Sequence, residues 1–196
     1  MDWGESRTMQ TLQVLSLTLL PFLMANAQVL HPGRCPVPPV KENFDVSSYM
    51  GRWYEIQKLP SIFQKGECGQ ATYTLGDGVV HVLNAELLAD GTVSQIEGSA
   101  KPVDPAQPAK LAVTFFPGSP PGPYWVLDTD YDNYALVYGC ENYGGLFYAD
   151  FAWILSRSPT LTEETIEQLH NIMTSNGISI NKMTTTNQSI CSSMPQ

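Results

Sequence analysis

Eight short runs rich in β-branched and aromatic residues follow one another from Trp53 onward, at 53–59, 70–75, 79–84, 92–100, 110–116, 124–129, 134–139 and 148–156. The segments between them form turns. Gly76-Asp77-Gly78 and Asp90-Gly91 are tight-turn signals, 102–108 and 117–123 are Pro-rich loops, and Asp132-Asn133 and Gly144-Gly145 punctuate the last runs. Short strands joined by local turns predict an antiparallel meander, and closing it hides the sheet edges. The period then changes. Leu161, Ile166, Leu169, Ile172 and Met173 recur at helical spacing behind a Thr160–Glu163 capping box, and Asn176-Gly177 supplies a C-cap. The fold class is therefore all-β: an eight-stranded antiparallel up-and-down barrel with one C-terminal helix packed outside. Residues 178–183 read as a further, ninth strand. Upstream, Pro36, Pro38 and Pro39 predict an extended arm, and Asp45 is placed to cap a short turn.

Residues 11–24 form an apolar run too short to cross a bilayer, and Ala25-Asn26-Ala27 is a small-x-small cleavage signature. Residues 1–27 therefore read as a signal peptide removed before Gln28. The alternative is a membrane anchor, disfavoured because polar residues follow at once. Residues 28–196 suit one domain with a real core. No later run is long enough for a transmembrane segment. The chain carries 19 acidic and 10 basic residues, a net charge of −9. Without Asp2, Glu5 and Arg7 the balance is −8, which argues against nucleic acid and anionic membrane surfaces as partners. Cys35, Cys68, Cys140 and Cys191 form an even set behind a signal peptide and predict two disulfides, with three pairings open. Their spacing lacks the paired clusters of zinc sites, so no metal or cofactor is expected. Asn187-Gln188-Ser189 is a glycosylation sequon. These features predict a secreted, extracellular protein.

An eight-stranded barrel can be filled by its own side chains or can hold one small ligand. Alternation places Leu111, Val113 and Phe115 on one face of the fifth run, and Phe151, Trp153 and Leu155 on one face of the eighth. Composition alone favours the solid core. Tyr124 and Trp125 point to opposite faces, and the sequence does not say which is inside. His31, His81 and His170 fall in the arm, the third run and the helix, and are not expected to converge.

Gly51-Arg52-Trp53 before the first strand, Thr129-Asp130-Tyr131 after the sixth and Arg157 after the eighth resemble the three signature regions of the lipocalin family. A guanidinium stacked on an indole at a closed barrel end is worth ~1–2 kcal/mol when desolvated, so Trp53 and Arg157 are expected to be structural. The resemblance spans the whole of 28–196. It implies the disulfides Cys35–Cys140 and Cys68–Cys191. It also implies a cavity lined by Tyr49, Tyr73, Asn84, Phe115 and Trp153. The implied partner is a small hydrophobic ligand: a fatty acid such as arachidonate, a steroid such as progesterone, or a retinoid- or bilin-like compound. Lipoprotein particles and a cell-surface receptor are further implied partners. Contact with lipoproteins is expected to be weak, because the 117–123 loop is poor in apolar residues. Some members isomerise prostaglandins through a thiol in the barrel. No unpaired cysteine is expected here, so the enzyme reading is the alternative to a carrier. A third reading is an interaction protein working through the apolar pairs Ile62-Phe63 and Leu146-Phe147.

Overall fold

The computed structural model describes residues 30–195; the predicted signal peptide and its cleavage site lie outside these described residues. Eight strands build the barrel: β2 (Gly51–Lys58), β3 (Glu67–Gly76), β4 (Val79–Leu87), β5 (Val93–Pro102), β6 (Lys110–Thr114), β7 (Gly122–Thr129), β8 (Tyr134–Tyr143) and β9 (Phe147–Ser156). Each pairs antiparallel with the next, and β9 returns to pair with β2, so the sheet closes. Two short strands pair on the outside. β1 (Leu30–Pro32) lies on the first half of β9, and β10 (Thr184–Thr185) lies on the end of β2. Among the described residues, no helix is long and apolar enough to cross a membrane.

Two cores follow from the strand alternation. Inward residues Trp53, Ala71, Tyr73, Val80, Val82, Ala100, Leu111, Val126, Val137 and Leu155 fill the lower barrel. Outward residues Leu136, Tyr138, Ala152 and Ile154 meet Ile166, Leu169 and Met173 of helix α2 (Glu163–Ser175). The helix therefore covers one stretch of the barrel's outer face, which is why that face is also apolar.

Two boundaries differ from the sequence reading. The helix is capped by Thr162, whose side chain accepts from the Thr165 amide at 3.2 Å, not by Thr160 with Glu163. Thr160 is still engaged with the end of β9, since its carbonyl accepts from Ser156 Oγ at 3.3 Å. Residues 178–183 are not a strand. The Ile178 amide instead donates to Met173 O at 3.0 Å, finishing the helix, and its side chain is buried with that helix. Strand pairing resumes later, at Thr184-Thr185.

The barrel is shut at the end where β2 begins. Asp45 caps a four-residue helix, α1 (Val46–Tyr49), by accepting from the Ser47 amide at 2.9 Å. Trp53 is fully buried and donates its indole N–H to Tyr49 O at 2.9 Å. The Arg157 guanidinium lies 3.7 Å from the Trp53 ring centroid. Its N–H groups donate to the carbonyls of Ser48, Tyr49, Met50, Arg52 and Tyr131 at 2.8–3.3 Å. Gly51 has a φ of +96°, and a Cβ there would sit 3.3 Å from Arg157 Nη1, so both backbone and space call for glycine. Tyr131 has a φ of +68°, costly for a residue with a side chain. It is held on three sides: its amide donates to Thr129 Oγ1 at 2.9 Å, its carbonyl accepts from Arg157, and its hydroxyl accepts from the Asp45 amide at 3.0 Å.

The two disulfides are Cys35–Cys140 and Cys68–Cys191, 105 and 123 residues apart in sequence. In the chain-entropy account, loops of that length contribute about 4–5 kcal/mol each. The first fixes the arm to β8, and the second fixes the C-terminal tail to β3.

Replacing Trp53 by Ala is expected to cost about 3–5 kcal/mol of stability through the cavity it leaves. Arg157→Ala should cost about 2 kcal/mol or more, because several carbonyls lose a charged donor. Denaturant melts check both, and unchanged midpoints would contradict the structural role.

Candidate ligand-binding site

Above this floor the barrel interior divides into tiers. The lowest is a tyrosine triad from three different elements. Tyr49 on α1 and Tyr73 on β3 each place a hydroxyl 2.8 Å from the hydroxyl of Tyr124 on β7. Their rings pack together, with Tyr49 and Tyr73 centroids 5.6 Å apart and Tyr73 and Tyr124 centroids 6.1 Å apart. Three hydroxyls joined by two hydrogen bonds keep one proton that neither bond uses. Burial is the main reason each resists ionisation: Tyr73 is pushed up to about 12, and Tyr49 and Tyr124 well above the ordinary tyrosine value of 10.0.

The next tier is lined by Asn84, Ile96, Phe115 and Trp153. Strand register sets their direction. Asn84 pairs with inward-facing Ala71, two residues along from Val82, which pairs with Tyr73. Trp153 pairs with inward-facing Val137. Phe115 packs on the inner core with Leu111 and Val113. These residues keep part of their surface accessible, Ile96 as much as 36%, whereas inward residues below them are sealed. Asn84 Oδ1 is buried and has no hydrogen-bond partner. Tyr49, Tyr73, Asn84, Phe115 and Trp153 thus all face one interior, the two tyrosines in its floor and the other three in its wall.

Four residues at this site had no clear signal in the sequence. Tyr124 was one of two equal candidates. The structure turns it inward and puts Trp125 outside, 4.7 Å below the Lys110 ammonium. Gln64, in the β2–β3 loop, accepts from Trp153 Nε1 at 3.0 Å and donates to Glu55 Oε2. Glu55 and Lys58 are both buried and form an ion pair at 2.9 Å. Residues three apart face opposite sides of a regular strand, but a bulge between Glu55 and Gln57 brings these two together. Lys58 Nζ also donates to Gly66 O at 3.1 Å, and Glu86 Oε2 accepts from the Gly66 amide at 2.7 Å. The β2–β3 loop is therefore tied to the rim at Gln64 and Gly66. Its tip, Ile62-Phe63, is exposed, as are Phe116 and Leu146 in the other loops at this end and Phe147 at the start of β9.

The histidines lie apart from this interior and from one another. His31 Nε2 is 3.1 Å from buried Asp150 on the outer face of β9, His81 lies against Gly76, and His170 bonds Gln57 at 2.7 Å. Among the described residues no cysteine is free and no cluster of three or more metal-ligating side chains exists.

A closed eight-strand barrel, shut at one end by a Trp–Arg pair and lined with aromatics toward the other, defines the lipocalins. A lipocalin-like domain is matched over residues 44–188, and the chain belongs to this family. It is similar to apolipoprotein D of Mus musculus, at 57% identity over 171 residues covering 87% of this chain and 90% of that protein. It is 37% identical to the bilin-binding protein of Pieris brassicae over 84% of this chain and 87% of that one. Among solved structures it resembles insecticyanin from the tobacco hornworm Manduca sexta, with a TM-score of 0.72 and 30% identity over 84% of this chain and 92% of that one. None of these names denotes an enzyme.

The triad predicts how stability changes in alkali. The unfolded chain releases tyrosine protons near the ordinary value of 10.0, while folded Tyr73 holds its proton to about 12. Its contribution is therefore complete below about pH 10 and is lost as pH rises through about 12. Tyrosinate absorbance should show folded-state tyrosines that keep their protons well above the ordinary value of 10.0. Tyr124→Phe, which leaves two buried hydroxyls without their partner, should cost about 1–3 kcal/mol.

Proposed function

We propose that this lipocalin is a secreted carrier that reversibly holds a small hydrophobic molecule in its barrel. The observation that carries the reading is a step in accessibility: Tyr49 and Tyr73 at the floor are sealed, and Asn84, Ile96, Phe115 and Trp153 above them are partly open. An apolar wall with a few polar points is what a small-molecule site requires. Phe115 and Trp153 supply apolar surface, whose burial against a ligand is worth ~25 cal/mol per Å2. Asn84 Oδ1 offers an acceptor to a ligand hydroxyl. The spare proton of the tyrosine triad offers a donor to a carbonyl or carboxylate. Arachidonate, progesterone and retinoid- or bilin-like molecules all combine a large apolar body with such a group, and one relative is named for binding a bilin. No covalent step is involved, and the isomerase alternative lacks a free thiol among the described residues.

Secretion is supported by the two disulfides, which persist in oxidising compartments. Asn187 is exposed beside the Cys68–Cys191 bond and is proposed to carry a glycan. Exposed Ile62, Phe63, Phe116, Leu146 and Phe147 at the mouth are proposed as a rim against which ligands enter, and as the surface for any lipoprotein or receptor contact.

Titrating arachidonate or progesterone should give a saturable change in tryptophan fluorescence. Trp153→Phe should remove most of that signal, and Asn84→Leu should weaken ligands with a hydroxyl more than those without. The absence of a saturable response to every apolar ligand would end the carrier reading.

A further inference from the structure

One inward position in the upper barrel has no side chain. Gly98 on β5 pairs with inward-facing Val82 on β4, and Ala100, next on the same face, packs in the inner core. Its φ is ordinary, so no turn or strained backbone explains the glycine. Space does. A Cβ built at Gly98 would stand 2.7 Å from Phe115 Cδ1 and 3.0 Å from Phe115 Cε1, and 2.8 Å from the Thr114 carbonyl oxygen. The Phe115 ring therefore rests against the backbone of β5, on the wall, and not across the interior. Opposite Ile96, which precedes Gly98 on the inner face, lies Asn84 with its unpaired Oδ1.

We propose that Gly98 determines ligand shape selectivity: by holding no side chain it lets the Phe115 ring lie back into the wall and opens a slot for a rigid fused-ring ligand beside Asn84. The inference rests on the carrier reading above. Gly98 touches no ligand; it is a positioning residue acting through Phe115. A Cβ at 98 meets the Phe115 ring and the Thr114 carbonyl oxygen together; the carbonyl is fixed by the β5–β6 pairing, so the ring is what gives way. A flexible chain re-routes around a displaced ring through its own rotations. A rigid ring system cannot, so a wall displaced by the size of one methyl discriminates strongly between the two.

The test is a double-mutant cycle on the full secreted chain, with progesterone as the rigid probe and arachidonate as the flexible one. Gly98→Ala should weaken progesterone by roughly tenfold or more and arachidonate far less. In a Phe115→Ala background, where no ring is left to displace, the same substitution should leave the ratio of the two affinities unchanged. Equal loss of both ligands, or a selectivity shift that persists without Phe115, would overturn the proposal. So would a wild-type protein that binds arachidonate but not progesterone, although the carrier reading would then stand. Failure of the wild type to bind either probe would overturn the inference too, and the carrier reading would fall only if every other apolar ligand also gave no saturable response. Should Gly98→Ala not fold, Phe115→Ala alone decides: the ring's removal must shift the affinity ratio, and an unshifted ratio overturns the inference.

Discussion

The contact between Arg157 and Trp53 is what allows this barrel to have an inside. A sheet closed into a cylinder still ends in unpaired carbonyls and a gap at its axis. Trp53 fills the gap, and Arg157 covers the ring while reaching carbonyls on both sides of it. An ammonium would not serve, because it lacks a flat face and the planar fork of donors. The demands of this one group spread outward. They require a glycine at 51 and a left-handed tyrosine at 131, and they draw α1 across the opening. With the floor closed in this way, the tyrosine triad is held at one height above it.

That division of labour accounts for which side chains are sealed and which are not. Cohesion comes from the lower barrel, from the outer core under α2 and from two covalent cross-links. Phe115 and Trp153 above pack on the inner core and still keep part of their surface accessible. The rim carries a polar cluster, with buried Glu55 and Lys58 and half-buried Gln64 and Glu86 arranged around one loop. These groups hold Gln64 and the Gly66 backbone, and Phe63 at the tip packs on Phe151 with ring centroids 5.2 Å apart, so the loop is positioned by directional bonds and by packing together.

Most of the fold was legible because the strands alternate and the turns carry their own chemistry. All eight runs became barrel strands, and Asp45 and Asn176 cap where their types suggested. The floor was legible through three separated motifs that make physical sense only together. Legibility failed where a second structural element changes what a pattern means. Alternation identifies the inner face only when the other face is polar. In β7 both faces are apolar, since Trp125 and Leu127 lie in the outer core that α2 shares, so Tyr124 could not be chosen over Trp125. The bulge after Glu55 breaks the two-residue period that would have separated Glu55 from Lys58. Ile178 and Ile180 look like a strand by composition, but the end of the helix claims them. Gln64 sits in a loop, where no period exists, and its role follows from the indole and the carboxylate it meets.

The way the chain's two flanks are secured has a practical side. The arm is paired to β9 at Leu30–Pro32 and joined to Cys140, while the tail is paired to β2 and joined to Cys68. Both attachments lie on the open half of the barrel, whereas the shut end is built from interior stretches of sequence. A label, tether or fused partner added at either flank would consequently stand near the entrance and compete for room with whatever approaches it. Attachment through the turns at Asp77-Gly78 or Asp132-Asn133, on the opposite pole, would leave the entrance clear.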